Sequence, residues 1–305
     1  MKCIFIYNPK SGKGKIKKKL PYITKRLSEK YGEIDVYETK CRGDLTAKVK
    51  EIANLYDTIV FSGGDGTFNE LLQGLSVWEQ LPALGYIPTG TTNDIAHSLK
   101  IPCKSLRRQL NVVLKGRVEK LDCMMINGEE YAMYCVCAGA FTKATYTTPQ
   151  QNKKIFGRLA YGIEGLRSNI PFKVFPVTMK NEEETIRSEC VFALIMNSKR
   201  VAGFRLNAKG SMQDGLLEGA IVKQKKNPNF FYRWHAFFSL IRLFIFGYRF
   251  KEKSLAQIDG ESFQIEVPDD VVWNYDGEKG RCGNIEIKVL KNRVPLIVPK
   301  NNKNI

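Results

Sequence analysis

The sequence predicts an α/β first domain on a parallel sheet, followed by a mainly antiparallel β domain. Three observations predict it. Up to about residue 99, short apolar runs rich in β-branched residues alternate with stretches of helical periodicity. Three of those runs end in turns of glycine and small polar residues, at 8–14, 62–67 and 88–94. From about residue 121 the strand-like segments follow one another, separated mainly by turn residues.

Residues 2–7 form an apolar strand, 8–14 a loop and 16–31 a basic helix. Residues 34–39 alternate as a strand does, and 44–55 read as a helix with Asp44 as its N-cap. Residues 56–61 form a buried strand, and strong helix formers three and four apart begin at Glu70. Residues 83–87 are the next strand, with a helix over 95–99. In a parallel sheet covered on both faces, the three turns open together at the carboxyl edge, where ligands bind. Beyond residue 117, the stretches 118–122, 130–137, 172–179, 189–197, 217–222, 262–267 and 284–289 are strand-like. Residues 153–168 read as a helix instead. The expected division is 1–122 and 123–295, with 229–250 as an apolar helical insertion.

A length of 305 residues gives two domains and a substantial core, and 43% hydrophobic with 26% charged residues is a globular balance. The net charge of +17 favours acidic partners: nucleic acid, anionic lipid or nucleotide phosphates. Residues 10–19 carry six lysines and no acid, and 223–253 carry eight basic residues and one acid, Glu252. The eight cysteines include no Cys-x-x-Cys pair, and His97 and His235 lie far from metal-like spacing, which argues against zinc. The apolar run at 3–7 is too short for a signal peptide, so the expectation is a cytoplasmic chain with reduced thiols.

The stretch 229–250 is long enough to span a bilayer, but Arg233, His235, Arg242 and Arg249 divide it, and intramembrane arginine is costly. Two readings remain: a buried helix, or an interfacial helix anchored by Phe230, Trp234, Phe237 and Phe244 between basic flanks.

The central turn carries the chemistry. Gly63, Gly64 and Gly66 let the backbone approach an anion where a helix N-terminus offers unpaired amides and a positive dipole end. Asp65 among them would repel phosphate unless it holds Mg²⁺ or handles a proton. Asn8, Pro9, Lys10, Ser11 and Gly12 bring amides, a hydroxyl and a cation after the first strand. The loop with Thr91 adds small polar groups and a second carboxylate, Asp94. Later, Asp214-Gly215 and Asp276-Gly277-Glu278 read as turns, or as carboxylates lent to a cleft between domains.

Taken in order, five motifs carry a resemblance. They are Asn8-Pro9 with Ser11-Gly12; Gly63-Gly64-Asp65-Gly66-Thr67 with Asn69-Glu70; Gly90-Thr91 with Asn93-Asp94; Asp214-Gly215 with Leu217; and Asp276-Gly277-Glu278. Over nearly its whole length the chain resembles the soluble bacterial diacylglycerol kinases and related lipid kinases, which share a catalytic domain with sphingosine kinases. The central motif alone also suits NAD kinases and phosphofructokinases. The resemblance implies an α/β domain and a β-sandwich domain with ATP between them, and a return of residues 296–305 to the first domain. It implies that Asn8, Pro9, Lys10, Ser11, Gly12, Thr39, Gly63, Gly64, Asp65, Gly66, Thr67, Asn69, Glu70, Thr91 and Asp94 meet the nucleotide. It implies Mg²⁺ at Asp214 with groups at Ser211 and Leu216, and Glu278 as proton acceptor, with Asp65 the alternative base.

The expected function is therefore ATP- and Mg²⁺-dependent phosphorylation of a membrane lipid hydroxyl, diacylglycerol first. The enzyme would sit peripherally on the inner face of the membrane, drawn to anionic lipid, with a homodimer left open. Another lipid alcohol of the sphingosine kind, or the ribose of NAD, is the alternative acceptor. A non-catalytic nucleic-acid binder is the alternative class, but no such motif is present and the loop carboxylates oppose a phosphate backbone.

Overall fold

A computed structural model describes residues 1–140, 173–208, 210–226, 230–248 and 253–301, with the backbone alone at 12, 13, 230 and 233. The helix expected over 153–168 lies outside the described residues.

The first half alternates strand and helix: β1 (Cys3–Tyr7), α1 (Leu20–Tyr31), β2 (Ile34–Glu38), α2 (Asp44–Ile52), β3 (Thr58–Gly63), α3 (Asp65–Leu75), β4 (Ala83–Pro88), α4 (Asp94–Ser98) and α5 (Leu106–Lys115). The four strands are parallel in the order β4-β3-β1-β2. Every residue of β1 and β3 is buried, as strands covered on both faces must be. Ile23 and Leu27 of α1 and Leu110 and Val113 of α5 cover one face with Phe5 and Val60. Leu45, Val49, Leu71, Leu72 and Leu75 of α2 and α3 cover the other with Ile4 and Ile59.

Several boundaries differ from expectation for local reasons. The helix expected from residue 16 is 3-10 over Lys17–Lys19 and becomes α at Leu20, with Pro21 in the first turn, where a missing N–H costs nothing. Asp44 is the first helical residue and not the cap; Gly43, at φ +83°, takes that place. The helix expected from Glu70 begins at Asp65, because extended Gly64 turns straight into it. The sequence reading did not anticipate α5, though Ser105 caps it by accepting from Arg108 N at 3.4 Å.

The second half is antiparallel: β5 (Arg117–Ile126), β6 (Glu130–Ala132), β7 (Cys135–Gly139), β8 (Phe175–Lys180), β9 (Thr185–Met196), β10 (Leu217–Lys223), β11 (Leu255–Gly260), β12 (Ser262–Glu266), β13 (Val272–Tyr275), β14 (Glu278–Cys282) and β15 (Ile285–Val298). Among the described residues one helix, α6 (Phe230–Phe246), interrupts them between β10 and β11. Most of the buried faces of these strands share a second core around Phe175, Phe263 and Trp273. Strand β15 joins the halves. Its first residues pair antiparallel with β12, it runs along β5, and Leu296 pairs parallel with Leu84 of β4. Its register breaks between Leu290 and Val294, where Asn292 adopts φ +54°. Buried Asp122 holds that break by accepting from Asn292 N at 2.7 Å. Among the described residues no helix is long and apolar enough to cross a membrane.

Candidate active site

The adjacent parallel strands send their following loops to one edge, and hydrogen bonds tie those loops together. Asn8 N donates to Ser62 O at 3.3 Å, Thr39 N to Tyr7 O at 3.0 Å, and Thr89 N to Gly63 O at 2.8 Å. Asn8 Oδ1 accepts from Lys10 N at 2.9 Å, which curls the first loop. The second and third loops touch through glycine: a Cβ on Gly90 would lie 2.5 Å from Gly64 Cα, so a larger residue would part them. The head of α3, the positive end of its dipole, opens at this meeting point.

Three carboxylates stand behind it, Asp94 and Asp276 buried and Asp65 partly so. Asp65 accepts from Asp94 N at 3.1 Å and Ile95 N at 3.3 Å, the first amides of α4. Burial pushes its carboxyl up to about 7, the Asp94 charge adds to the rise, and the two amides oppose it. Asp94, 1% exposed, accepts from Gly203 N at 2.9 Å, so a turn of the second half completes this pair. Asp276, 3% exposed, accepts from Met133 N, Tyr134 N and Cys135 N at 2.6, 2.9 and 3.0 Å, and from Asn69 Nδ2 of α3 at 3.1 Å. Burial raises its carboxyl too, against the pull of those donors.

Asp276 and Gly277 have φ of +52° and +92°, the two positive values of a type I′ hairpin turn joining β13 to β14. That turn aims Glu278 toward the first half of the chain. Its Oε2 pairs with Arg42 at 2.5 Å, and a Cβ at Gly66 would lie 2.8 Å from its Oε1. The carboxylate thus rests on the first turn of α3, and a Cβ at Gly66 would push it aside.

A further turn lies around Asp214. Its Oδ1 accepts from Leu216 N at 3.1 Å, and Ser211 Oγ accepts from Gln213 N at 3.1 Å. Asp122 pins this turn through Gly215 N at 2.8 Å. Burial, with the Asp122 charge as a smaller contribution, raises the Asp214 carboxyl.

Residues 2–126 match the diacylglycerol kinase catalytic domain. A diacylglycerol kinase of Bacillus subtilis is 29% identical over 297 residues, covering 97% of this chain and 95% of its own. One of Staphylococcus saprophyticus is 28% identical over 301 residues, covering 98% and 96%. Over nearly its whole length the chain is similar to diacylglycerol kinases. Among solved structures, a diacylglycerol kinase from Bacillus anthracis superposes with a TM-score of 0.77 at 22% identity, covering 99% of this chain and 98% of that one. An NAD kinase from Archaeoglobus fulgidus in complex with ATP superposes with a TM-score of 0.54 at 16% identity, covering 99% and 94%, and shares the fold.

The expected site residues fall in several places. Asn8, Lys10, Ser11, Gly63, Gly64, Gly66 and exposed Thr91 line the joined loops. Thr39 is buried beside them, its Oγ1 donating to Tyr7 O at 3.4 Å. Asn69 turns inward to Asp276 and to Tyr131 O. Glu70 accepts from the Gly43 amide at the start of α2, and burial raises its carboxyl. Asp214, Ser211 and Leu216 sit apart, on the turn that Asp122 holds. The sequence reading missed Arg42, Asp122, Gly203 and the role of Asp276; all act through contacts distant in sequence that no local pattern announces. Among the described residues no three acidic, His or Cys side chains converge to hold a metal. The 211–216 turn nevertheless fits Mg²⁺, which takes one or two carboxylates and keeps several waters. Asp214 supplies a carboxylate already penalised by burial, which a cation would relieve.

Proposed function

We propose that the chain transfers the terminal phosphoryl group of ATP to the hydroxyl of diacylglycerol, giving phosphatidic acid. One observation carries this reading: Glu278, from the second half, lies on the first turn of α3 at the edge where the glycine loops meet. Phosphoryl transfer needs a cradle for the triphosphate, in-line approach of the hydroxyl and a group to take its proton. The loops at 8–12, 63–67 and 89–94 with Thr39 would form the cradle, and Lys10 and Arg42 would offset phosphate charge. Glu278 Oε1 would accept the acceptor hydroxyl's proton, which requires Arg42 to exchange Glu278 for phosphate. Asp65 and Asp94 would hold the nucleotide's Mg²⁺, and Asp214 with oxygens at Ser211 and Leu216 would hold a second. Bound Mg²⁺ supplies neutralisation of the triphosphate charge.

This reading takes 1–122 with the end of β15 as the nucleotide unit and 123–295 as the acceptor unit. It places the enzyme peripherally on the cytoplasmic face of an anionic membrane. The test is labelled ATP offered with mixed micelles of diacylglycerol, of other lipid alcohols including a sphingoid base, and with NAD. Label in phosphatidic acid is expected; label in NADP, or transfer to no acceptor, overturns the reading.

A further inference from the structure

Helix α6 is apolar on both sides. Its inner side is buried: Ala236, Phe237, Leu240 and Leu243 join the core, and Phe244 rings pack on Phe192 and Phe204 at 6.2 and 5.2 Å between centroids. The expected anchors Phe237 and Phe244 are thus internal packing residues. The outer side is where large apolar groups meet solvent. Phe231 is 79% exposed, Phe238 49%, Ile245 64% and Phe246 64%. Positions 231, 238 and 245 are seven apart, two helical turns each, so they form one stripe along the helix. Trp234 extends it, its ring 6.0 Å from that of Phe238. Exposed His235 and Arg242 lie beside the stripe.

Charge decides the occupant. Residues 223–248 hold Lys223, Lys225, Lys226, Arg233 and Arg242 and no acid. Lys223, Lys225 and Lys226, on the approach to the helix, and Lys253 beyond it are exposed. An apolar stripe between cationic ends on a surface helix matches an anionic bilayer, whose headgroups take the lysines and whose acyl boundary takes the rings.

The helix is also tied to the carboxylates. Phe244 packs on Phe204, the residue after Gly203, whose amide holds Asp94. Tyr248 N, just past the helix, donates to Leu206 O at 2.5 Å in the same segment. Docking through the outer side therefore sets down the bilayer one layer of packing away from the Asp94 turn.

We infer that the Phe231–Phe238–Ile245 face of α6 is the surface by which this chain docks on anionic membranes. The inference rests on the lipid-kinase reading for its purpose but not for its measurement. The full chain is floated with vesicles of phosphatidylcholine alone or with phosphatidylglycerol added, without nucleotide or acceptor. Wild type binds the anionic vesicles, and binding falls as salt screens the lysines. Each side chain transferred halfway into the acyl boundary contributes about tenfold in affinity. Phe231→Ser/Phe238→Ser/Ile245→Ser then weakens binding about a thousandfold and keeps the melting temperature and the phosphorylation of a short-chain, water-soluble acceptor. Lys225→Glu/Lys226→Glu weakens binding to anionic vesicles alone. Unchanged vesicle binding by the triple variant overturns the inference. So does a wild-type dimer that the triple variant dissociates with vesicle binding intact, because the face then belongs to a second copy. Vesicle binding lost as expected in a protein that phosphorylates no acceptor would leave the docking face standing and sink the kinase reading.

Discussion

Replacing Asp65 with Asn should make the enzyme less active and, at neutral pH, relieve a stability cost. The folded carboxyl releases its proton at about 7, against an ordinary 3.8. At about 1.4 kcal/mol per pH unit, that gap is worth about 4 kcal/mol. Between the two values the folded state holds a proton that the unfolded state has lost, so stability falls as pH rises through this window and levels above about 7. Some 3 kcal/mol of the fall lies between about pH 5 and about pH 8. Asn cannot titrate. It keeps one acceptor for the amides of Asp94 and Ile95 and turns an NH₂ toward the other, a cost present at both pH values. Equilibrium urea unfolding of both proteins at the two pH values isolates the carboxyl, because Asp276 and Asp214, also raised by burial, remain in each. The variant's stability relative to wild type should rise by about 3 kcal/mol from the lower to the higher pH, while activity drops by ~10² or more. A relative stability constant within about 1 kcal/mol would refute the assignment of a proton-holding Asp65.

Asp276→Ala leaves three backbone amides and Asn69 facing a void, and should cost about 3–5 kcal/mol, lowering the melting temperature by about 10 °C; differential scanning calorimetry checks it, and an unchanged transition would contradict the part these four bonds are given in holding the fold. Asp214→Ala should abolish the rise in melting temperature that added Mg²⁺ gives the wild type, since a metal held by the folded state alone stabilises it; an equal rise in the variant would remove Asp214 from the metal site.

The first half was legible because its strands are continuous apolar runs and its loops are punctuated by glycine. Both signals are local. The Asp276-Gly277 turn was legible for the same reason, although the strands that flank it were not expected: that dipeptide suits two successive positive φ values. Sequence reading failed where a side chain is placed by a distant partner. Arg42 meets Glu278 across 236 positions, and Asp122 holds a turn 93 positions away. The outward face of α6 was misjudged because a helix apolar all round carries no periodic signal to say which side is covered. Phe237 and Phe238 are equal as residues, and the fold alone separates them. The helix α5 was overlooked although Leu106, Leu110 and Val113 have its spacing, because no glycine-rich loop drew attention to it.

The central claim is that phosphoryl transfer occurs between the glycine loops and Glu278. Its most direct measurement is kcat of Glu278→Gln in micelles of diacylglycerol, with nucleotide affinity and melting temperature measured alongside. Glu278 is partly exposed and pairs with Arg42 at the surface of the cleft, so Gln should leave the fold intact. The account predicts a fall in kcat of ~10² or more with stability and nucleotide binding retained. A variant within about threefold of wild type would contradict it and move the proton acceptor elsewhere.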